Sequence, residues 1–385
     1  MRICVVTGIF PPDIGGPASY VALLCESLRS VGVEVEVITY STGLTQVTHP
    51  FPVHRISRAI PLPVRMLVTP IKILKAGCGS DLIYCNGLTV PSAIASLLLR
   101  KPMVMKVEGD FAWERATNLG LTKDSIRAFQ SQQQNWRVGL LKAIRNWCLE
   151  RSRTVISTSK FLAGLIRGWG YRGPVEVISN AVEEDFGKEV ADLTREECRA
   201  RIGFSGKKIV LSAGRLVSWK GFWAVILAAK SLEPEAVILI IGEGPEGSHL
   251  ANLIESNGIE DKVFLIGKVS RSEMAVYLKA ADCFVLNSGY ESFSHVTLEA
   301  MKMGTPVIAA RAAGMPELIE HGKNGFLFEK DDVDEMTERV EECLYDSAVR
   351  ERLTTEAARG LSEYSWSSIF SRTLGVLKEG ARRRR

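Results

Sequence analysis

The 385-residue sequence has no apolar run long enough to cross a bilayer. Its longest uncharged apolar stretches, such as 92–99 and 236–241, fall far short of the roughly 20 residues that a spanning helix needs. No Cys-x-x-Cys pair occurs among Cys4, Cys25, Cys78, Cys85, Cys148, Cys198, Cys283 and Cys343. That argues against structural zinc and for buried free thiols in a reducing compartment. His49, His54, His249 and His321 show no ligand spacing. Neither a Cys/His finger nor an aromatic RNP-type motif is present, so a nucleic-acid partner is not expected. Low-complexity linkers and short repeats are also missing. Residues 1–10 are apolar after Arg2, but Pro11, Pro12 and Asp13 end the run before leader length, so it reads as a first buried strand. A cytoplasmic enzyme is the expectation.

The composition, 46% hydrophobic and 24% charged, is that of an ordinary globular protein with room for two cores. Net charge is +4, unevenly spread: residues 1–185 hold 21 Lys/Arg against 14 Asp/Glu, whereas 186–377 hold 22 against 29. The tail 378–385 is again basic. A basic first half and tail suit an anionic surface or partner.

Short Val/Ile/Leu runs alternate with helix-length amphipathic segments, the pattern of parallel sheets with crossover helices. Strands are expected at 3–7, 34–39, 82–85, 103–107, 154–158 and 175–178, then at 208–213, 237–241, 263–266, 283–286, 306–309 and 325–328. The polar stretch 183–207 divides the two sets. The fold class is therefore α/β, two doubly wound Rossmann-like domains in tandem. The first spans 1–185 and the second 186–364. A helix near 365–378 is expected to pack back on the first domain, leaving a basic tail, 379–385.

Segment 287–303, NSGYESFSHVTLEAMKM, places Glu291 in a loop after a strand and Glu299 inside the helix that follows. The amides of Ser294, His295 and Val296 at that helix start suit an anion such as a diphosphate. Two carboxylates beside a diphosphate should accept bonds from sugar and ribose hydroxyls. In 212–222, SAGRLVSWKGF, Arg215 and Lys220 follow a strand, at the end of a parallel sheet where ligands bind. Arg grips phosphate bidentately and Lys adds a point charge. Gly15 and Gly16, just after the first strand, permit close backbone approach to a ligand.

Taken together, the Glu291-x7-Glu299 segment, the Arg215 and Lys220 pair, the Gly15-Gly16 loop, PVIAARAAGMPELI at 306–319 and HGKNGFLF at 321–328 resemble glycosyltransferase family 4, the retaining enzymes of GT-B fold. The resemblance covers essentially the whole chain. It implies two Rossmann-like domains with an interdomain cleft, and a nucleotide-diphosphate sugar as co-substrate with no cofactor and no metal. The acceptor is a glycan, a lipid-linked sugar or a small molecule, as in cell-envelope polysaccharide or glycolipid synthesis. Glu291 then contacts donor-sugar hydroxyls and Glu299 the ribose. Arg215 and Lys220 neutralise the leaving diphosphate with the help of the loop Ser292, Phe293, Ser294, His295 and Val296. The base lies near Glu243, Gly244, Lys268 and Val269. Closure of the cleft brings Gly15, Gly16 and a strand-end carboxylate to the donor.

Two departures qualify this. Many relatives carry a His where this chain has Glu108, within KVEGDFAWERA at 106–116, which resembles a subset with a GD-aromatic-AWER segment. Asp110 is taken as the residue facing the donor sugar or acceptor hydroxyl, with Glu108 the second choice; a carboxylate that caps the next helix is the other reading. Ser292 and Ser294 replace the usual glycines, where a Cβ would crowd the phosphates. The departures leave a GT-B nucleotide-sugar epimerase and a non-catalytic nucleotide-sugar binder as alternatives.

Two matches are decoys. GEGPEG at 242–247 fits a dinucleotide fingerprint, but the next strand ends in Gly267 and Lys268 rather than an acid. Asp332 and Asp334 mimic a metal motif but sit where a helix cap belongs. Finally, 64–77 sets Arg65, Thr69 and Lys72 among apolar residues, and 136–147 does the same with Arg137, Lys142 and Arg145. Both read as basic amphipathic helices suited to an anionic membrane, with Arg382–Arg385 adding charge.

Overall fold

Uninterrupted Val/Ile/Leu runs become parallel strands here because both faces of each strand are covered. The structure is a computed structural model that describes residues 1–13, 15–42, 48–132 and 135–382. It divides into two compact units, Met1–Asn180 with the segment from Ser367 onward, and Ala181–Trp366.

The first unit is built on a seven-stranded parallel sheet: β1 (Arg2–Thr7), β2 (Glu34–Ser41), β3 (Val53–Ser57), β4 (Leu82–Asn86), β5 (Met103–Val107), β6 (Thr154–Ser157) and β7 (Val175–Val177), in the order 3-2-1-4-5-6-7. Its helices are α1 (Gly16–Ser30), α2 (Leu62–Gly77), α3 (Thr89–Leu99), α4 (Phe111–Asn118), α5 (Ile126–Ser131), α6 (Trp136–Glu150) and α7 (Lys160–Gly168). The register of β1 against β2 runs Arg2 to Glu34 through Val6 to Ile38, and on its other side Ile3 meets Leu82. On one face Cys4, Val6, Ile38, Ile73, Ile83, Cys85 and Met103 form a single apolar cluster.

The second unit holds α8 (Arg195–Arg201), β8 (Lys208–Ala213), α9 (Phe222–Ala228), β9 (Ala236–Ile241), α10 (Gly247–Ser256), β10 (Val263–Gly267), α11 (Arg271–Ala280), β11 (Cys283–Leu286), α12 (His295–Lys302), β12 (Val307–Ala310), α13 (Met315–Leu318), β13 (Phe326–Phe328), α14 (Val333–Tyr345) and α15 (Ser347–Gly360). The sheet order is 10-9-8-11-12-13. Alternation along the strands divides the core between the two faces. Ile209, Leu211, Val237 and Leu239 pack on one side, and Val210, Ile238 and Ile240 on the other. Thr194 and Ser270 start α8 and α11 with reciprocal capping boxes. Asp332 caps α14 through the Glu335 amide, which accounts for the acidic pair there.

The last helix, α16 (Trp366–Ala381), packs on the first unit. Ile369, Thr373, Leu377 and Gly380 are its buried face, and Arg153 donates to the Gly380 carbonyl at 3.1 Å. Of the basic tail, Arg383–Arg385 lie outside the described residues. No helix among the described residues is long and apolar enough to cross a membrane.

One strand escaped the sequence reading. Strand β3 is an edge strand whose VHRIS pattern lacks the continuous apolar run of its buried neighbours. The readings of 64–77 and 136–147 as helices with basic outer faces are corrected. On α2, Thr69 is buried and its hydroxyl lies 3.1 Å from the Tyr40 hydroxyl. Arg65 reaches over the Tyr40 ring and donates to the Arg58 carbonyl at 3.1 Å. Of the three polar residues at that spacing, Arg65 and Thr69 face inward and Lys72 alone is exposed. On α6, Arg145 is buried and Lys142 bonds the Phe129 carbonyl, so of the three basic residues only Arg137 is exposed.

Candidate functional site

In both sheets the strand order reverses beside the first strand of the unit, between β1 and β4 and again between β8 and β11. Crevices at the carboxyl ends of such strands are where open α/β sheets take ligands.

In the second unit, the loop after β8 is laced to its neighbours backbone to backbone. The Leu216 amide donates to the Glu243 carbonyl at 3.0 Å, and the Glu246 amide to the Leu216 carbonyl at 3.0 Å. A Cβ on Gly242 would stand 1.9 Å from the Gly214 carbonyl oxygen, and one on Gly244 would stand 2.3 Å from that of Leu216. Gly242 and Gly244 therefore serve close packing of two strand-end loops. On this platform Arg215 and Glu243 are exposed, and Arg215 forms no ion pair among the described residues. Lys268 is exposed at the end of β10, whereas Val269 packs on the core.

Lys220 ends a single 3-10 turn, and Gly221 follows in the left-handed region at φ 64°. Nothing but glycine fits there, since a Cβ would stand 2.4 Å from the Asn287 carbonyl oxygen. The buried Asn287 side chain donates to the Gly221 carbonyl at 3.1 Å and to Asp331 at 2.8 Å, and the Gly289 amide donates to the Trp219 carbonyl at 2.8 Å. These bonds stitch the Lys220 turn to the loop after β11. There the Lys220 ammonium is ion-paired with the Glu291 carboxylate, both largely shielded from water.

The Glu291 loop is itself pinned, because the Gly314 amide donates to the Glu291 carbonyl at 2.8 Å and a Cβ on Gly314 would stand 2.2 Å from the Ser292 carbonyl oxygen. Ser294 is the N-cap of α12, its hydroxyl accepting from the Thr297 amide at 3.4 Å. The Ser294 hydroxyl thus turns back on its own helix. The first-turn amides of His295 and Val296 precede the helix's internal ladder. Phe293 packs its ring against Tyr364 in the core, which leaves its backbone alone for a ligand. Glu299, one turn along α12, lies 3.2 Å from Arg271, which also pairs with Glu183 at 3.3 Å. Burial pushes the Glu299 carboxyl up to about 7, against the opposing pull of Arg271.

In the first unit the loop after β1 is held by Arg58, which donates to the Gly8 carbonyl and to Asp13, each at 2.9 Å. Gly15 is the N-cap of α1 and Gly16 its first residue. A cavity of ≈ 480 Å³ opens where β1, β4 and β5 end, walled by Ile9, Val107, Phe111 and Trp169 and edged by Glu108 and Glu114. The fully buried Lys106 ammonium stands 3.5 Å from Glu108, donates to Asn180 at 2.7 Å and lies over the Tyr20 ring. Cys148 also lines the cavity, its thiol pushed up to about 11 by burial.

Asp110 is corrected. It is fully buried and has both carboxylate oxygens occupied. Oδ1 accepts from the Ala112 and Trp113 amides at 3.0 and 3.4 Å as the cap of α4, while Oδ2 accepts from Arg145 at 2.6 Å and Gln130 at 3.0 Å. Gln130 in turn accepts from Trp169 at 2.8 Å, and Arg145 stacks on the Trp169 ring. The carboxylate that reaches the cavity is Glu108, joined by Glu114, which the sequence reading passed over. Its place in AWER, four residues after the cap, was the available signal. Arg271 and Trp169 were also missed, since neither carries a local motif. Among the described residues no three His, Cys, Asp or Glu side chains gather as a metal would require.

Comparison with known proteins places both halves. The family model described as Glycosyltransferase Family 4 matches residues 14–186, and that described as Glycosyl transferases group 1 matches residues 194–360. An uncharacterized glycosyltransferase of Methanocaldococcus jannaschii is 29% identical over 98% of this chain and 98% of its own. The mannosylfructose-phosphate synthase of Agrobacterium fabrum is 30% identical over 58% of this chain and 52% of its own. Among solved structures, Anabaena HepE in complex with UDP and glucose superposes with a TM-score of 0.81 at 23% identity, covering 98% of this chain and all of that one. Sucrose-phosphate synthase from Thermosynechococcus elongatus gives 0.80 at 21% identity, covering 98% of each.

Two outcomes test this geometry. Asp110→Ala should lower stability by about 3 kcal/mol or more in urea denaturation, because it strands a buried Arg145; a residue that merely contacts substrate would cut turnover and leave the midpoint in place. Gly242→Ala should cost about 2 kcal/mol by the same measurement, through the collision with the Gly214 carbonyl.

Proposed function

The chain belongs to glycosyltransferase family 4, with the GT-B type of fold, and we propose that it is a retaining, metal-independent hexosyltransferase using a nucleoside-diphosphate sugar. The observation that carries this reading is the meeting of Arg215, the Lys220–Glu291 pair and the start of α12 at the β8/β11 reversal. A diphosphate set there gains two cations and a helix N-terminus at once. The solved neighbours holding UDP and UDP-glucose support a UDP-sugar as the first donor to try.

In this reading Lys220 is held by Glu291 until the donor arrives, and then shares its ammonium with the β-phosphate. Glu291 turns its remaining acceptor capacity to the sugar hydroxyls. As the C1–oxygen bond to the β-phosphate breaks, Arg215, Lys220 and the helix amides stabilise the charge that develops on the departing oxygen. The acceptor hydroxyl bonds to C1 on the same face, and its proton passes to that phosphate oxygen. Cations of the protein do the neutralising that a metal would otherwise supply. The cavity of the first unit is the acceptor site, its aromatic walls taking a sugar face and Glu108 and Glu114 accepting from hydroxyls.

Incubation with UDP-glucose and no acceptor should release UDP and glucose slowly, and an isomerised nucleotide sugar in place of glucose would mark the epimerase reading. Lys220→Ala should abolish turnover while the protein keeps its circular dichroism, with about 1–3 kcal/mol lost in urea denaturation because the shielded Glu291 loses its partner; an active, folded Lys220→Ala enzyme removes the phosphate assignment. If Glu299 accepts from ribose hydroxyls, its ionised form binds better. UDP-glucose affinity by calorimetry should then rise roughly tenfold from about pH 6 to about pH 8. Glu299→Gln should flatten that profile.

A further inference from the structure

Helix α2 is apolar on two sides, with Ile73 and Ala76 packed into the core and a second apolar stripe left outside. Its polar Arg65 and Thr69 are turned inward to Tyr40, whereas Leu62, Val64, Leu67 and Ile71 are exposed, Leu67 to 71%. Val64, Leu67 and Ile71 fall at i, i+3 and i+7, one stripe on the helix, and the exposed Lys75 continues it at i+11 with the exposed Lys72 beside it. The neighbouring α3 lies close enough that a Cβ on Gly77 would stand 2.9 Å from Leu99, and its last turn exposes Leu97 and Leu98 ahead of the exposed Arg100. Not one Asp or Glu occurs from Val37 to Ser80, a stretch that holds Arg55, Arg58, Arg65, Lys72 and Lys75.

We propose that the α2 face, Leu62, Val64, Leu67 and Ile71 with Lys72 and Lys75, lies on a bilayer containing anionic phospholipid. Apolar side chains grouped on one stripe match the acyl boundary, and lysines at its end reach phosphate headgroups with their long stems. A segment without acids meets no repulsion from a negative surface. Because α2 begins just past the carboxyl end of β3, the apolar stripe starts at the end of the sheet where the cavity opens. Lys72, Lys75 and Arg100 outnumber the exposed Asp81 beside the last turn of α3, and that excess of positive charge suits an anionic bilayer.

The full chain should cosediment with vesicles of phosphatidylglycerol and phosphatidylcholine, and not with vesicles of phosphatidylcholine alone. Binding should weaken as salt rises. Leu67→Glu with Ile71→Glu should reduce vesicle affinity roughly tenfold or more, as should Lys72→Glu with Lys75→Glu. UDP-glucose turnover without vesicles should stay as it was in both variants. A chain lacking 382–385 should still bind. Equal binding by wild type and the Leu67/Ile71 variant overturns the proposal, as does loss of binding on deleting the tail alone. So does a wild-type dimer, seen by light scattering, that the Leu67/Ile71 variant abolishes. The vesicle and light-scattering readouts do not depend on which sugar, if any, is transferred.

Discussion

A single ion pair, Lys220 with Glu291, joins the two loops on which the second unit's chemistry is built. The partners, 71 residues apart in sequence, follow the ends of β8 and β11, strands adjacent in space. Isolated, such a shielded pair would contribute little, because the desolvation of both charges offsets their attraction. Here it is framed by bonds that do not depend on it. Asn287 grips the Gly221 carbonyl, Gly289 reaches the Trp219 carbonyl, and Gly314 reaches the Glu291 carbonyl. The cation is therefore placed before any ligand arrives, and an anion that binds meets a charge whose orientation has already been settled.

The two units share their wiring and differ in what they put at the reversal. In the second unit the crevice is lined by Arg215, Lys220 and helix amides, a surface for an anion. In the first it is walled by Ile9, Phe111 and Trp169 and edged by carboxylates, with the neighbouring cations consumed internally: Lys106 by Glu108 and Asn180, Arg145 by Asp110. Parallel sheets wired alike thus present one basic crevice and one edged by carboxylates, which in the proposed reading take the diphosphate and a hydroxyl-rich acceptor. The division follows from the side chains each crevice carries, Arg215 and the Lys220–Glu291 pair in one and the carboxylates and aromatic walls in the other, not from topology.

What the sequence made legible is the set of elements whose signal is local. Strands buried on both faces announce themselves as apolar runs, and the Arg215, Lys220, Glu291 and Glu299 segments carry their spacing with them. Strand β3 was lost because an edge strand needs apolar residues on one face only. Asp110 was misjudged for a deeper reason. A capping carboxylate and a reactive one look alike after a strand, and the deciding partner, Arg145, lies 35 residues away on α6. Gly242 and Gly244 resemble a nucleotide fingerprint because close backbone packing and close ligand approach make the same demand on a residue.

Helix α2 shows how far the usual inference from spacing can invert. Polar residues at i and i+4 normally mark the wet face, yet a ring and a hydroxyl from Tyr40 and a carbonyl from Arg58 are enough to take Arg65 and Thr69 inside. The exposed leucines and isoleucine then forgo burial that would be worth roughly 1 kcal/mol apiece at half exposure. Polar residues at those positions would leave the interior of the unit unchanged, so the fold alone gives no reason for apolar ones. A cost of that size, borne at four neighbouring positions with lysines at the end of the stripe, fits the proposed bilayer contact better than a face meant for water.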